Sequence, residues 1–468
     1  MQFPGADDAA FRTVLAGIGL DAADVGGTVA LVGEGPAVLS PHRIIEAGGL
    51  ALAAEGAAMA ALWRHRSGRA QEVTVHASDV IFALNPFPYL RRNGHLGHNI
   101  ADIVSPCSGY FQTADGRHMY VTANYPKLRD GMLKLLDCPN DREAVAKAIA
   151  RWKALDLEQA VIDRKLVAGL VRTKEEWRDH PQGRYVAQLP LVEIEKIGDC
   201  APVPLGAAAR PLSGVRVADM THVFAGPSIT RGLAEQGADV LHLGPLNPNL
   251  VDAIGITLET GIGKRSAIID LGLEDDVATL GRLLGEADVF VQSWRPGLLA
   301  AKGFSPERVA QLNSGIIYVT VTCYGSGGPW AQRGGFDGLA LASTGMTADE
   351  AEYDKVKLSP PGILTDGIAG FLGAGAVAAT LLRRAREGGS YHIRISLSQA
   401  AMWIQSLGRQ PKRAAEDPGQ PRIATMDSPF GALEYVAPAI RYSETPGFFD
   451  KPPVPVGASR AEWLEREQ

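Results

Sequence analysis

The chain has 468 residues, enough for two or three domains and a large core. An apolar fraction of 46%, a charged fraction of 21% and a net charge of −6 fit an ordinary soluble protein and give no broad attraction to nucleic acid or to an anionic membrane. Cys107, Cys138, Cys200 and Cys323 are scattered, without metal-ligand or disulfide-framework spacing, so reduced thiols, no metal and a cytoplasmic location are expected.

Residues 1–40 are weakly patterned, and the opening MQFPGADDAA lacks the basic start and apolar core of a secretory leader. A helix is expected from Glu46 to about Arg66. Tyr110–Thr113 and His118–Thr122 read as two strands around an Asp115-Gly116 turn. Helical stretches follow through Met132–Leu136 and Arg142–Leu155, and Thr173 with Glu176 has the spacing of a capping box. The Pro/Ala/Gly-rich segment before Leu212 is the expected linker. After it, Val215–Met220, Asp239–Leu243, Ile268–Asp270, Asp288–Val291 and Ile316–Val321 are short apolar runs separated by helical ones, the pattern of a parallel sheet with helices on both faces. The run Gly367–Leu382 is apolar, but its Ala/Gly content and length favour a buried helix over a membrane span. From about Gln410 the chain is Pro-rich, and an irregular surface wrap is expected.

One stretch occurs twice at an offset of 320 residues. Ala58/Ala378, Leu62/Leu382, Arg64/Arg384, Arg66/Arg386, Gly68/Gly388 and Ser78/Ser398 are identical pairs, and each segment opens on an acid, Glu46 or Asp366. A carboxylate heading an apolar helix is a candidate reactive group, although aspartates also serve there as caps.

The turn Thr221-His222-Val223-Phe224-Ala225-Gly226-Pro227 follows a strand and opens a helix, but it has no GxGxxG. The next strand ends in Leu243-Gly244 without an acid for a ribose, which argues against a dinucleotide. Helix N-termini after such strands suit phosphates, and Lys264, Arg265 and Arg295 stand beside loop breakers.

These pieces, continued by Arg295-Pro296-Gly297, Tyr324-Gly325-Ser326-Gly327-Gly328-Pro329, Gly334-Gly335-Phe336-Asp337 and Thr365-Asp366-Gly367, resemble the class III coenzyme A transferases. That family includes formyl-CoA transferase, carnitine CoA-transferase and α-methylacyl-CoA racemases. The resemblance implies an α/β fold: a Rossmann-like large domain and a smaller α+β domain, joined by long Ala/Gly-rich helices. Residues 1–205 look like the family's later half, a helix and small domain. Residues 206–211 would be a linker, 212–410 the large CoA-binding domain with its aspartate, and 411–468 the tail. The order thus departs from the family's and reads as a fusion of two partial copies. Family subunits interlock as dimers, so a homodimer is one expectation and a self-sufficient fused chain another.

The resemblance makes Asp366 the nucleophile that passes CoA from an acyl-CoA to a carboxylic acid through an aspartyl–acyl anhydride and an aspartyl-CoA thioester. Gly367 would leave room and a free N–H for an oxyanion. His222, Val223, Phe224 and Ala225 would lie near the pantetheine, and Lys264, Arg265 and Arg295 near the phosphates. Phe336 and Asp337 would line the substrate pocket. Racemases of the family carry a histidine where Phe336 stands, which disfavours racemisation. Gly244 and Ser293 also depart from the family's pattern and leave a non-catalytic CoA-binding subunit as an alternative. Glu46 reads as a structural relic.

Overall fold

The computed structural model describes residues 8–96, 104–245 and 254–465. The start and end of the chain that figure in the sequence reading lie partly outside these. A seven-stranded sheet forms the large domain, in the spatial order Lys264–Ile268, Asp239–Gly244, Arg216–Met220, Val289–Gln292, Ile317–Thr322, Ser390–Ser396, Glu193–Gly198. All neighbours are parallel except the last pair. Alternation sends Val217, Val289 and Val291 to one buried face and Ala218, Phe290 and Tyr318 to the other, as a sheet covered on both sides requires. Strand order reverses beside Arg216–Met220, so the loops after that strand and after Val289–Gln292 diverge and leave a crevice.

Two expectations need correction here. The strand expected at Ile268–Asp270 runs instead over Lys264–Ile268 and pairs with Val240–Gly244, which draws Lys264 and Arg265 out of the loop and into the sheet. The tail is not wholly irregular: Ile423–Ser428 and Gly431–Val436 form a hairpin with Leu433 and Tyr435 buried, and Ile440–Tyr442 forms another strand. Its prolines flank these strands rather than interrupt them.

The two long helices, Ile44–Ser67 and Leu364–Glu387, have 24 residues each and start 320 residues apart. The short helices Ala77–Leu84 and Leu397–Ser406 begin at the same offset. Between each pair lies a strand with one parallel and one antiparallel neighbour. Val73 pairs with Val29 and Tyr442, and Ile393 pairs with Val319 and Ile194. The antiparallel neighbour comes in each case from the other part of the chain: Glu193–Gly198 closes the large sheet, and Ile440–Tyr442 returns to the first. The linker therefore does not separate two independent bodies.

Both long helices are apolar enough to cross a membrane by length and composition, yet nearly all of each is buried inside the protein. They lie against each other at small residues, and a Cβ at Gly375 would sit 3.1 Å from the Glu55 Cα. A smaller core lies between residues 107 and 170, termed the small domain. Strands Gly109–Gln112, His118–Val121 and Ala168–Leu170 pack on helices Pro126–Leu136, Arg142–Ile149 and Ala154–Asp163 through Met119, Val121, Leu136, Ile149 and Leu157. The Thr173–Glu176 capping box is present.

Gly375→Leu would force the long helices apart. Loss of about 2 kcal/mol of stability is expected, within the range for overpacking a core, read as a lower urea midpoint with an unchanged slope. An unaltered midpoint would contradict the close crossing.

Candidate active site

Asp366 lies in the first turn of the second long helix and is 7% exposed. That helix has no side-chain cap of its own at Ile363. Asp337, heading the helix Asp337–Thr344, supplies one from outside: its Oδ1 accepts from the Thr365 N–H at 2.7 Å and the Thr365 hydroxyl at 2.6 Å. Among the described residues its Oδ2, also buried, finds no hydrogen-bond partner. The two carboxyls are close enough to repel. Burial first, then the Asp337 charge, holds the Asp366 carboxyl well above the ordinary range, and burial holds Asp337 at about 6 against the hydrogen bonds it accepts.

The expectation for Gly367 is half wrong. Its N–H is not free, because it donates to the Ile363 carbonyl at 3.1 Å within the helix. What the glycine permits is close approach of another segment: a Cβ there would lie 3.1 Å from the Leu84 carbonyl oxygen. The C-terminal end of helix Ala77–Leu84 thus backs the site, tied by an Asn85 side-chain N–H to the Pro361 carbonyl at 2.7 Å.

The opposite wall comes from the small domain. Tyr125 stacks on Phe336 with ring centroids 5.8 Å apart, and the Tyr120 and Tyr125 hydroxyls both feel the Asp366 charge. Burial, more than that charge, pushes both phenols up, so they stay protonated. Glu158, also of the small domain, and Arg172, just past its end, reach across to Arg333 beside the Gly334-Gly335-Phe336-Asp337 segment. Arg333 donates to Glu158 at 3.2 Å and to the Ala168 carbonyl at 2.6 Å. Burial works against the Glu158 charge, but the Arg172 hydrogen bond and the Arg333 charge outweigh it and hold the carboxyl at about 2. Gln182 ties down the glycine-rich loop, donating to the Tyr324 and Gly327 carbonyls and accepting from the Trp330 N–H.

At the sheet's crevice, the His222 N–H donates to the Ser293 Oγ at 3.2 Å, and His222 meets Trp294 edge-on. Val223 has φ +73, a costly value for a β-branched residue and one that turns the loop sharply before the helix. Phe224 and Ala225 are buried, and Phe224 packs on Phe87 at 4.8 Å. The helix Ala225–Glu235 has no side-chain cap, which leaves its N-terminus suited to an anion. Arg295, in the loop that follows Val289–Gln292, is half-buried, donates one N–H to the Lys165 carbonyl at 3.0 Å and packs on Gly334.

Lys264 and Arg265 are not in this crevice. Lys264 is buried, with its ammonium on Asp219 at 3.0 Å, the Pro227 carbonyl at 2.9 Å and Thr230 at 2.7 Å. Arg265 pairs with Asp239 at 3.0 Å and with the Glu462 carbonyl, at the amino end of its strand. The early strand start explains both. Glu46 faces a different setting from Asp366: part-buried and paired with Arg43 at 2.9 Å. Tyr120, Tyr125, Phe87 and Leu84 were not singled out from sequence, although the tyrosine-rich hairpin around Asp115-Gly116 was the available signal. Among the described residues no cluster of three or more His, Cys, Asp or Glu could hold a metal.

The CoA-transferase family III model matches residues 12–200 and 212–455. The chain belongs to this family. It is 32% identical to the acetyl-coenzyme A transferase nodX of Hypoxylon pulicicidum, over 64% of this chain and 53% of the other. It is 31% identical to the mouse (Mus musculus) succinyl-CoA:glutarate CoA-transferase, over 42% of this chain and 48% of that one. The crystal structure of Rv3272 from Mycobacterium tuberculosis matches 42% of this chain and 56% of its own with 32% identity and a TM-score of 0.40. The chain spans about half the length of the curated relatives it matches.

Carboxyls held above their usual range keep protons in the folded state that the unfolded chain has released. Their effect on stability is therefore unfavourable above the ordinary carboxylate range, growing as pH climbs toward and past 6. Asp366→Asn removes one of the two. At pH 7.5 the variant is expected to melt above the parent, and the gap should close by about pH 4. A variant that melts lower at both pH values would rule out a repulsive pair.

Proposed function

We propose that the protein transfers CoA from an acyl-CoA to a carboxylic acid, with Asp366 as the nucleophile. The observation carrying this is Asp366 itself: a buried carboxylate with no ion-pair partner among the described residues, at a helix start, between walls from both parts of the chain. Partial desolvation makes such a carboxylate a better nucleophile than one in bulk water, provided it is ionised when it attacks. A carboxylate oxygen attacks the thioester carbonyl, the C–S bond breaks, and CoA leaves as thiolate from an aspartyl–acyl anhydride. The thiolate then attacks the Asp366 carbonyl and expels the first acid as carboxylate. An incoming carboxylate attacks that aspartyl-CoA thioester, and the released thiolate takes the new acyl group and regenerates Asp366.

The CoA chain would lie along the crevice past His222 and Val223, with Phe224 and Ala225 shaping its floor and Arg295 and the uncapped helix end toward the phosphates. Phe336 and Asp337 would border the acyl group. Phe336, held against Tyr125, supplies no second acid/base for proton abstraction, which speaks against racemisation. We read the chain as a fusion of two partial copies, 1–205 and 212–410 with the tail 411–468, so that one chain furnishes both walls of one site. The scattered thiols and buried apolar helices support a cytoplasmic location.

Intact-protein mass spectrometry after incubation with a panel of acyl-CoAs tests the nucleophile. An acyl or CoA adduct is expected on the parent and none on Asp366→Ala. CoA binding without any adduct would point instead to a non-catalytic subunit. For Arg295→Ala, CoA affinity is expected to fall roughly tenfold, the equivalent of one charge-assisted hydrogen bond of about 1.5 kcal/mol, with a weaker salt dependence by titration calorimetry. Lys264→Met should lower stability, since it strands Asp219 unpaired in the core.

A further inference from the structure

Resting on the reading of Asp366 as nucleophile, we infer that the acyl group it handles ends in hydrocarbon or an aromatic ring, and that acyl groups bearing a second carboxylate are rejected.

The first ground is the lining. Tyr125, stacked on Phe336, feels the Asp366 charge and sets this aromatic pair beside the carboxyl on the small-domain side. On the crevice side the helix that Phe224 precedes packs closely on the second long helix at Ser228 and Gly370, one turn beyond Phe224 and Asp366, and Phe224 carries Phe87 against it. Leu84 closes the third side against Gly367.

The second ground is charge. Among the described residues, neither Asp366 nor Asp337 has an ion-pair partner, and the only charge acting appreciably on Asp366 is that of Asp337. Arg333 and Arg172 share the Glu158 carboxylate, and Arg295, held to the Lys165 carbonyl, packs on Gly334; none of the three is among the charges that act on Asp366.

Transfer conserves one negative charge at Asp366. When the aspartate is acylated its own charge is gone, so the single carboxylate of an acceptor can enter in its place. A second carboxylate would add a charge beside the buried Asp337 Oδ2, and among the described residues no ion-pair partner stands at either acid to meet it.

The test compares donors matched in length: butyryl-CoA against succinyl-CoA, and octanoyl-CoA against suberyl-CoA. The rate of adduct formation on Asp366 is followed by intact-protein mass spectrometry. The uncharged member of each pair is expected to react at least about tenfold faster, because like charges in a desolvated site are strongly disfavoured. Phe336→Lys should shift the ratio toward succinyl-CoA by about tenfold by supplying the missing cation. Equal rates, or a preference for succinyl-CoA in the parent, would overturn the inference while leaving the nucleophile intact. Failure of every donor to label a chain that still binds CoA would remove the proposed function and this inference with it.

Discussion

Alanine and glycine give a helix almost no side-chain bulk, so two such helices can bring their backbones closer than leucine-rich ones can, and once there they have little freedom to slide. The crossing of Ile44–Ser67 with Leu364–Glu387 is of this kind, with Gly375 against the Glu55 main chain. It fixes where the second helix begins, and therefore where Asp366 stands. The third helix, Ala225–Glu235, packs on the same rod at Gly370, which brings the crevice turn to within reach of the aspartate. Leu84 arrives by the same logic from the first long helix, through the strand and short helix that follow it. The position of the carboxylate is thus a consequence of small residues one to three turns away.

Burial alone does not make a carboxylate chemically useful, and the chain contains its own comparison. Glu46 and Asp366 occupy corresponding places in the two long helices. Glu46 is partly exposed and paired with Arg43. Asp366 is buried with another carboxylate and, among the described residues, no ion-pair partner, so its charge is costly and its lone pairs are poorly solvated. Such an arrangement persists only if the surroundings hold it. The Glu158–Arg172–Arg333 cluster does so at some distance from the reacting atoms. Its ions are buried, and removing one would leave the others uncompensated, so it locks the small domain to the loop that carries Phe336 and Asp337.

The α/β sheet was legible because its strands are short apolar runs set off by Gly and Pro, and the small-domain hairpin because Asp-Gly marks its turn. Asp366 was legible as the acid that opens a repeated helix. The phosphate-site reading failed at Lys264 and Arg265 for a local reason. Gly263 looked like the start of a loop, but Lys264 is already in the sheet, and its long side chain crosses to Asp219, one of the few acids buried in the sheet. Partners of that kind are not visible in the order of residues. The tail's strands were hidden by its prolines. The aromatic walls were missed because Phe87 and Tyr125 are separated from Asp366 by more than 200 residues and contribute through the fold alone.

The exchanged strands bear on how the two parts of the chain are held together. Glu193–Gly198 completes the large sheet from the far side of the linker, and Ile440–Tyr442 completes the smaller sheet from the end of the chain. Neither sheet can close without the other part of the chain, so the two parts are bound to fold together. The walls around Asp366 obey the same constraint: Leu84, from the first part of the chain, lies against Gly367 of the second, and Tyr125 of the first stacks on Phe336 of the second. In the first long helix the corresponding acid, Glu46, is instead paired with Arg43 three residues before it, so the interlocked parts hold one buried carboxyl pair at a helix start rather than two.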